Sequence, residues 1–144
     1  TNLSHMNLRN CEFLQEIPDL SGASNLTELH LDGCTNLAKI HDSVGCLNNL
    51  RELSAILCEN LKIFPSQLRL TSLECLNLIG CSSLQTFPEI SIVMKEMRTL
   101  DLDKTAITEL PSSVCNLIGL ETLSVEECPN LKQLPASICT FLHA

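Results

Sequence analysis

The sequence predicts an α/β solenoid, an arc of about six coils with a parallel β-sheet on its concave face and turns or 3-10 segments on its convex face. Three observations predict it. One phrase, apolar-x-x-apolar-x-apolar-x-x-Cys-x-x-apolar, recurs with first anchors at Leu3, Leu26, Leu50, Leu73, Met97 and Leu120, at steps of 23 or 24 residues along the whole 144-residue chain. Inside each phrase two apolar anchors alternate with outward positions, the period of a strand with one buried face. The closing anchor of five units stands directly before a proline: Pro18, Pro65, Pro88, Pro111 and Pro135, with His41 as the exception.

Each element follows from that spacing. The strand anchors are Met6 and Leu8, Leu29 and Leu31, Leu53 and Ala55, Leu76 and Leu78, Leu100 and Leu102, then Leu123 and Val125. A strand this short cannot bury its leucines alone, so successive strands stack in parallel at about 4.8 Å and the leucines fill the space between coils. Proline removes an N–H and fixes φ, which suits a chain leaving regular structure for the return path. About 12 residues remain for that return, enough for turns and 3-10 pieces and little α-helix. These units are leucine-rich repeats, and residues 1–144 form one domain of them.

Composition narrows the function classes. Hydrophobic residues make up 44% of the chain, which places it among globular domains. No apolar run is long enough to cross a bilayer, so no membrane partner is expected. Seventeen acidic against nine basic side chains, a net charge of −8, disfavour nucleic acid. The opening stretch TNLSHMNLRN lacks the charged and apolar regions of a signal peptide.

A cysteine column marks the turn out of each strand. Cys11, Cys34, Cys58, Cys81 and Cys128 share one slot, with Thr105 as the sixth occupant. Backbone groups buried at that turn need partners, and a small side chain with hydrogen-bonding capacity supplies one, so the column reads as a structural turn ladder. Disulfides or a metal are the rival readings for nine cysteines. Thr105 fills the slot without being able to cross-link, and the chain has no C-x-x-C or H-x-x-x-H pair, so reduced structural thiols and no metal or cofactor are expected. Cys46, Cys115 and Cys139 share a second slot on the convex return and read as half-buried filler.

The outward positions of the strands form columns across the concave face. Ile56, Leu57 and Ile79, beside Cys75 and Asn77, are apolar where the pattern points outward. Such a cluster ringed by polar groups is either the core of a protein interface or is covered by a neighbouring loop. Asp101, Asp103, Glu126 and Glu127 make an acidic end, either a solvated face or a surface for a basic partner. Arg51, Glu74, Arg98 and Glu121 alternate in sign on consecutive coils, the pattern of a stabilising cross-strand ladder. No enzyme is expected, because Cys75 lies two coils, roughly 10 Å, from His30 and no other histidine has a partner at useful spacing.

The stretches LNLIGCSSLQTFPEI, LDLDKTAITELPSSVCNLIGLETL and LSVEECPNLKQLPASI resemble the leucine-rich repeats of plant intracellular immune receptors of the TIR–nucleotide-binding–LRR class. The resemblance runs from Leu3 to Phe141. It implies a recognition and autoregulatory module, cytoplasmic or nucleo-cytoplasmic, that contacts a pathogen effector or the receptor's own nucleotide-binding domain. The concave residues Ile56, Leu57, Cys75, Ile79, Asn77, Asp101, Asp103 and Glu126 are the candidate contact set. With no phosphate loop or capping segment in the sequence, the chain resembles a piece of a larger receptor, and self-association through its open ends is expected. The alternative is an extracellular ectodomain binding a peptide, glycan or cell-wall enzyme, which the sequons at Asn2 and Asn25 would suit. A third reading is a spacer that sets the curvature of a longer arc.

Overall fold

The computed structural model describes residues 2–138. Six three-residue strands form one parallel sheet: β1 (His5–Asn7), β3 (Glu28–His30), β5 (Glu52–Ser54), β7 (Cys75–Asn77), β9 (Thr99–Asp101) and β10 (Thr122–Ser124). The register places anchor against anchor, so Met6, Leu29, Leu53, Leu76, Leu100 and Leu123 stack in a single line. The four inner members of that line have no solvent exposure. The parallel-sheet solenoid is therefore the fold, with five turns joining its six strands.

The return path carries two ribbons of two-residue strands, β2 (Glu16–Ile17) with β4 (Lys39–Ile40) and β6 (Gln67–Leu68) with β8 (Glu89–Ile90). Three 3-10 helices lie at Asp42–Cys46, Ser112–Asn116 and Ala136–Ile138, and no α-helix occurs among the described residues. His41, the one residue that breaks the proline rule, precedes the first of these helices. Its Nδ1 accepts the Ser43 N–H at 3.0 Å, so the ring caps the turn that Pro111 opens by its fixed φ in the later coil.

At the exit of every strand one residue adopts the left-handed conformation: Asn10, Gly33, Leu57, Gly80, Lys104 and Glu127, with φ between 54° and 78°. That geometry aims the N–H along the solenoid axis. From Asn10 to Lys104 each such N–H donates to a carbonyl of the next coil, those of Asp32, Ile56, Ile79, Asp103 and Glu126, at 2.7–2.9 Å. Left-handed backbone costs a non-glycine residue about 1–2 kcal/mol, and a satisfied inter-coil hydrogen bond beside a continuous core offsets it.

The end coils are the more open ones. Leu3 and Leu134 expose 43% and 41% of their surface, while the corresponding anchors of the middle coils are buried.

Candidate functional site

On the concave wall, Ile56 and Ile79 are half-buried and Leu57 exposes 50% of its surface. Leu57 stands out because its left-handed backbone turns the side chain across Gly80 of the following coil; a Cβ on Gly80 would fall 2.6 Å from Leu57 Cδ2. Glycine at position 80 is thus the floor under the leucine, and the three apolar residues share one shelf over two coils.

The polar neighbours of that shelf are largely occupied by the wall itself. Asn77 Oδ1 accepts the Ile79 N–H at 3.1 Å and Asp101 Oδ1 accepts the Asp103 N–H at 3.0 Å, each capping its own strand exit. Where serine replaces Asn or Asp, the preceding coil provides the cap. Asp32 Oδ1 accepts from Ser54 Oγ and from the Ile56 N–H at 2.9 Å, and Asp103 Oδ1 accepts from Ser124 Oγ and from the Glu126 N–H at 2.7 Å. Burial is the main cause that pushes the Asp101 carboxyl above its ordinary value, with the Asp103 charge adding to it. Glu126 is exposed, and Lys104 pairs with Glu127 at 3.8 Å. Of the acidic end, Glu126 is the exposed carboxylate that has no cation within ion-pair distance among the described residues.

A second group lies toward the first coils. Glu28 bridges two histidines, His5 Nε2 at 2.8 Å and His30 Nε2 at 2.9 Å. The hydrogen bond from His30 is the main reason the Glu28 carboxyl sits below its ordinary value. His30 is only 7% exposed, and Arg9 Nη2 donates to its Nδ1 at 3.0 Å, which assigns the imidazole proton to Nε2. Glu52 stands directly opposite Glu28 in the sheet. One donor atom each from Glu28, His30 and Glu52 lie within 4.8 Å of one another. A half-open groove of about 480 Å³ runs over this group, bordered by His5, Glu28, Arg51, Glu52, Glu74 and Cys75. Burial first, then the Glu52 and Asp101 charges, push the Cys75 thiol up, so it is a poor nucleophile.

The turn-slot cysteines lie between coils as hydrogen-bond donors. Cys34 Sγ donates to Leu8 O at 3.0 Å, Cys58 to Leu31 O at 3.1 Å, Cys81 to Ala55 O at 3.1 Å and Cys128 to Leu102 O at 3.0 Å. Each target is the last strand anchor of the preceding coil. Thr105 differs: its Oγ1 bonds Leu102 O of its own coil at 2.9 Å. Burial pushes the Cys58 and Cys81 thiols up to about 12. Every described cysteine is free.

The filler reading of the second cysteine slot is corrected. Cys46 and Cys115 are exposed, because in both 3-10 turns the valine, Val44 or Val114, faces the core; Cys46 stands two positions after Val44 and Cys115 one after Val114, so the two occupy different positions of the turn and both face water. Cys139 lies outside the described residues. The alternating charges pair where the first two and the last two meet, Arg51 Nε with Glu74 at 2.6 Å and Arg98 Nε with Glu121 at 3.6 Å.

The grouping of Glu28, His30 and Glu52 escapes a search for local motifs, because Glu52 comes from the next coil. Its signal is in the columns: Glu28 and His30 share a strand face, and Glu52 follows Glu28 in the column.

Residues 69–143 match the family described as disease resistance protein RPS4B-like, leucine-rich repeats, and residues 2–23 match a general leucine-rich-repeat family. The chain is 48% identical over 144 residues to disease resistance protein RML1B of Arabidopsis thaliana, an alignment covering 97% of this chain and 14% of that protein. It is 47% identical over 137 residues to disease resistance protein RPP4 of the same plant, covering 95% and 12%. With disease resistance protein RPP5, also from Arabidopsis thaliana, identity is 46% over 137 residues, covering 95% and 9%. The chain spans about a tenth of the length of these curated relatives.

Proposed function

The chain belongs to the family of RPS4B-like leucine-rich repeats of disease resistance proteins, and we propose that it is the ligand-recognition and autoregulatory wall of an intracellular plant immune receptor. Its partner is a protein: a pathogen effector, or the receptor's own nucleotide-binding domain held inactive. The observation that carries this reading is the shelf of Ile56, Leu57 and Ile79, apolar and partly open on a wall whose other outward positions are mostly polar. The groups around it suit docking and no covalent chemistry, since the thiol on this face is pushed toward its protonated form.

Buried, unbridged thiols in a repeated slot favour a reducing compartment, so the proposed location is cytoplasmic or nucleo-cytoplasmic. The open first and last coils are where further coils, or a second copy, would stack.

The test uses the full receptor. Leu57→Asp places a charge on the shelf at an exposed position and leaves the core intact. Expressed beside candidate effectors, this receptor should lose effector capture if the shelf reads an effector. If the shelf holds the nucleotide-binding domain, it should trigger cell death without any effector. Normal capture together with a quiet receptor would overturn the assignment of this face. Ile56→Glu combined with Ile79→Glu extends the test across the shelf.

A further inference from the structure

We propose that Glu28, His30 and Glu52 form a binding site for a divalent transition-metal ion such as zinc, a role that goes beyond protein recognition. The three side chains come from two neighbouring coils and converge above the concave wall with one donor atom each inside a 4.8 Å circle. Two carboxylate oxygens and one imidazole nitrogen are a donor set for zinc, cobalt or nickel, and the imidazole makes magnesium and calcium poorer fits.

Three features distinguish this cluster from acidic side chains that merely share a surface. His30 is nearly buried, so its ring is held in one orientation and Nε2 points at Glu28. Glu28 keeps its second oxygen on His5 Nε2 at 2.8 Å, an outer hydrogen bond of the kind that orients a metal-binding carboxylate, and His5 Nδ1 is itself fixed by Ser4 Oγ at 2.8 Å. The Glu52 N–H donates to Thr27 O at 3.1 Å, but its carboxylate makes no hydrogen bond or ion pair among the described residues although it sits opposite the Glu28 carboxylate. Two like charges paired across a sheet repel, and a cation between them removes that repulsion. The half-open groove leaves the remaining coordination positions to water. Metal–ligand distances of about 2.0–2.2 Å require the donors to draw closer, and the unpartnered Glu52 side chain is the one free to move.

Metal at Nε2 takes the place of the proton now shared with Glu28 Oε1. That proton moves to Nδ1, by way of water, and the ring stays neutral. At Nδ1 it meets the Arg9 guanidinium, which also donates and so cannot accept it. Arg9 must turn away, and Asp32 Oδ2, already 3.3 Å from its Nε, offers it a place. Arg9 therefore sets the affinity: it weakens the site in the resting wall. Glutamine at position 9 would offer a carbonyl oxygen to Nδ1–H and remove a nearby positive charge, and binding should tighten.

The experiment titrates the chain with Co²⁺ alone, followed by visible absorption, and with Zn²⁺ alone, followed by calorimetry, in reduced protein. One ion per chain is expected, giving cobalt d–d bands without the near-ultraviolet thiolate-to-cobalt band that cysteine ligation produces. Glu52→Gln should weaken binding roughly tenfold or more while leaving the far-ultraviolet circular dichroism unchanged. Arg9→Gln should strengthen it severalfold. Absence of binding, a thiolate band at the first equivalent, an affinity untouched by Glu52→Gln, or Arg9→Gln protein that binds no tighter each overturns the site.

Discussion

Replacing Cys81 separates two roles that a buried thiol can play. Its side chain has no solvent exposure and its Sγ donates to Ala55 O at 3.1 Å, a carbonyl whose other donor, the Cys58 N–H, is distant at 3.4 Å. Cys81→Ala removes the donor, costing about 1 kcal/mol, and leaves a void near the size of a methyl group, costing about 1 kcal/mol more. The total of about 2 kcal/mol, with a urea slope near 2 kcal/mol/M, moves the unfolding midpoint by about 1 M. Cys81→Ser leaves a smaller void and places a hydroxyl donor near the same carbonyl. If the thiol acts as a rung between coils, the serine chain is therefore more stable than the alanine chain. If the thiol only fills space, the order reverses, because burying a hydroxyl without a satisfied bond costs more than burying nothing. Urea unfolding of both variants at pH 7, with equal slopes, decides by sign: alanine at or above serine refutes the rung.

Three further outcomes follow from the same geometry. The Cys58 and Cys81 thiols are pushed up to about 12 from 9.0, chiefly by burial, so the folded chain keeps protons that the unfolded chain releases. Stability should be level below pH 9 and fall as pH rises toward 12, by about 1.4 kcal/mol per pH unit for each thiol. Urea midpoints between pH 7 and 10.5 should show the fall, and Cys58→Ser with Cys81→Ser should make it shallower, leaving the part that the raised Cys34 and Cys75 thiols contribute. Glu74→Lys puts two cations where Arg51 Nε now meets a carboxylate at 2.6 Å; both groups are exposed, so the melting temperature should drop by about 1–3 °C, and an unchanged value would refute the pairing. Gly80→Ala should destabilise by about 1–2 kcal/mol through its left-handed backbone, plus the clash with Leu57, and should cost less in a Leu57→Gly background; additive effects would show that the leucine does not rest on the glycine.

The wall was legible in the sequence because its information is repeated. An apolar anchor in the same slot of six units can be buried in only one way, by stacking coil on coil, so strand positions and register follow from spacing alone. What the columns did not reveal is how each outward side chain is used. The left-handed strand exit is hidden because only Gly33, Gly80 and Asn10 advertise it, while Leu57, Lys104 and Glu127 adopt it without a favourable local propensity. Inter-coil hydrogen bonds impose that conformation, and such bonds are visible only once coils are stacked. The second cysteine slot failed for a related reason: the 3-10 period, unlike that of a strand, turns Cys46 and Cys115 outward when Val44 and Val114 turn in.

The acidic end shows what this means for function. Read as columns, Asp101 and Asp103 look as available to a partner as Glu126. In the folded chain Asp101 caps its own strand exit, and Asp103 ties its coil to the next through Ser124 and the Glu126 N–H. Asp32 does the same through Ser54 and the Ile56 N–H. A partner that drew these carboxylates toward itself would have to unfasten a strand exit, losing partly buried hydrogen bonds as it gained a contact. Recognition is cheapest through side chains that hold nothing else in place, and among the described residues of this wall Leu57, Glu52 and Glu126 are of that kind. Substituting these three should alter binding with little loss of stability, whereas changing Asp32 or Asp103 should loosen the solenoid before it says anything about a ligand.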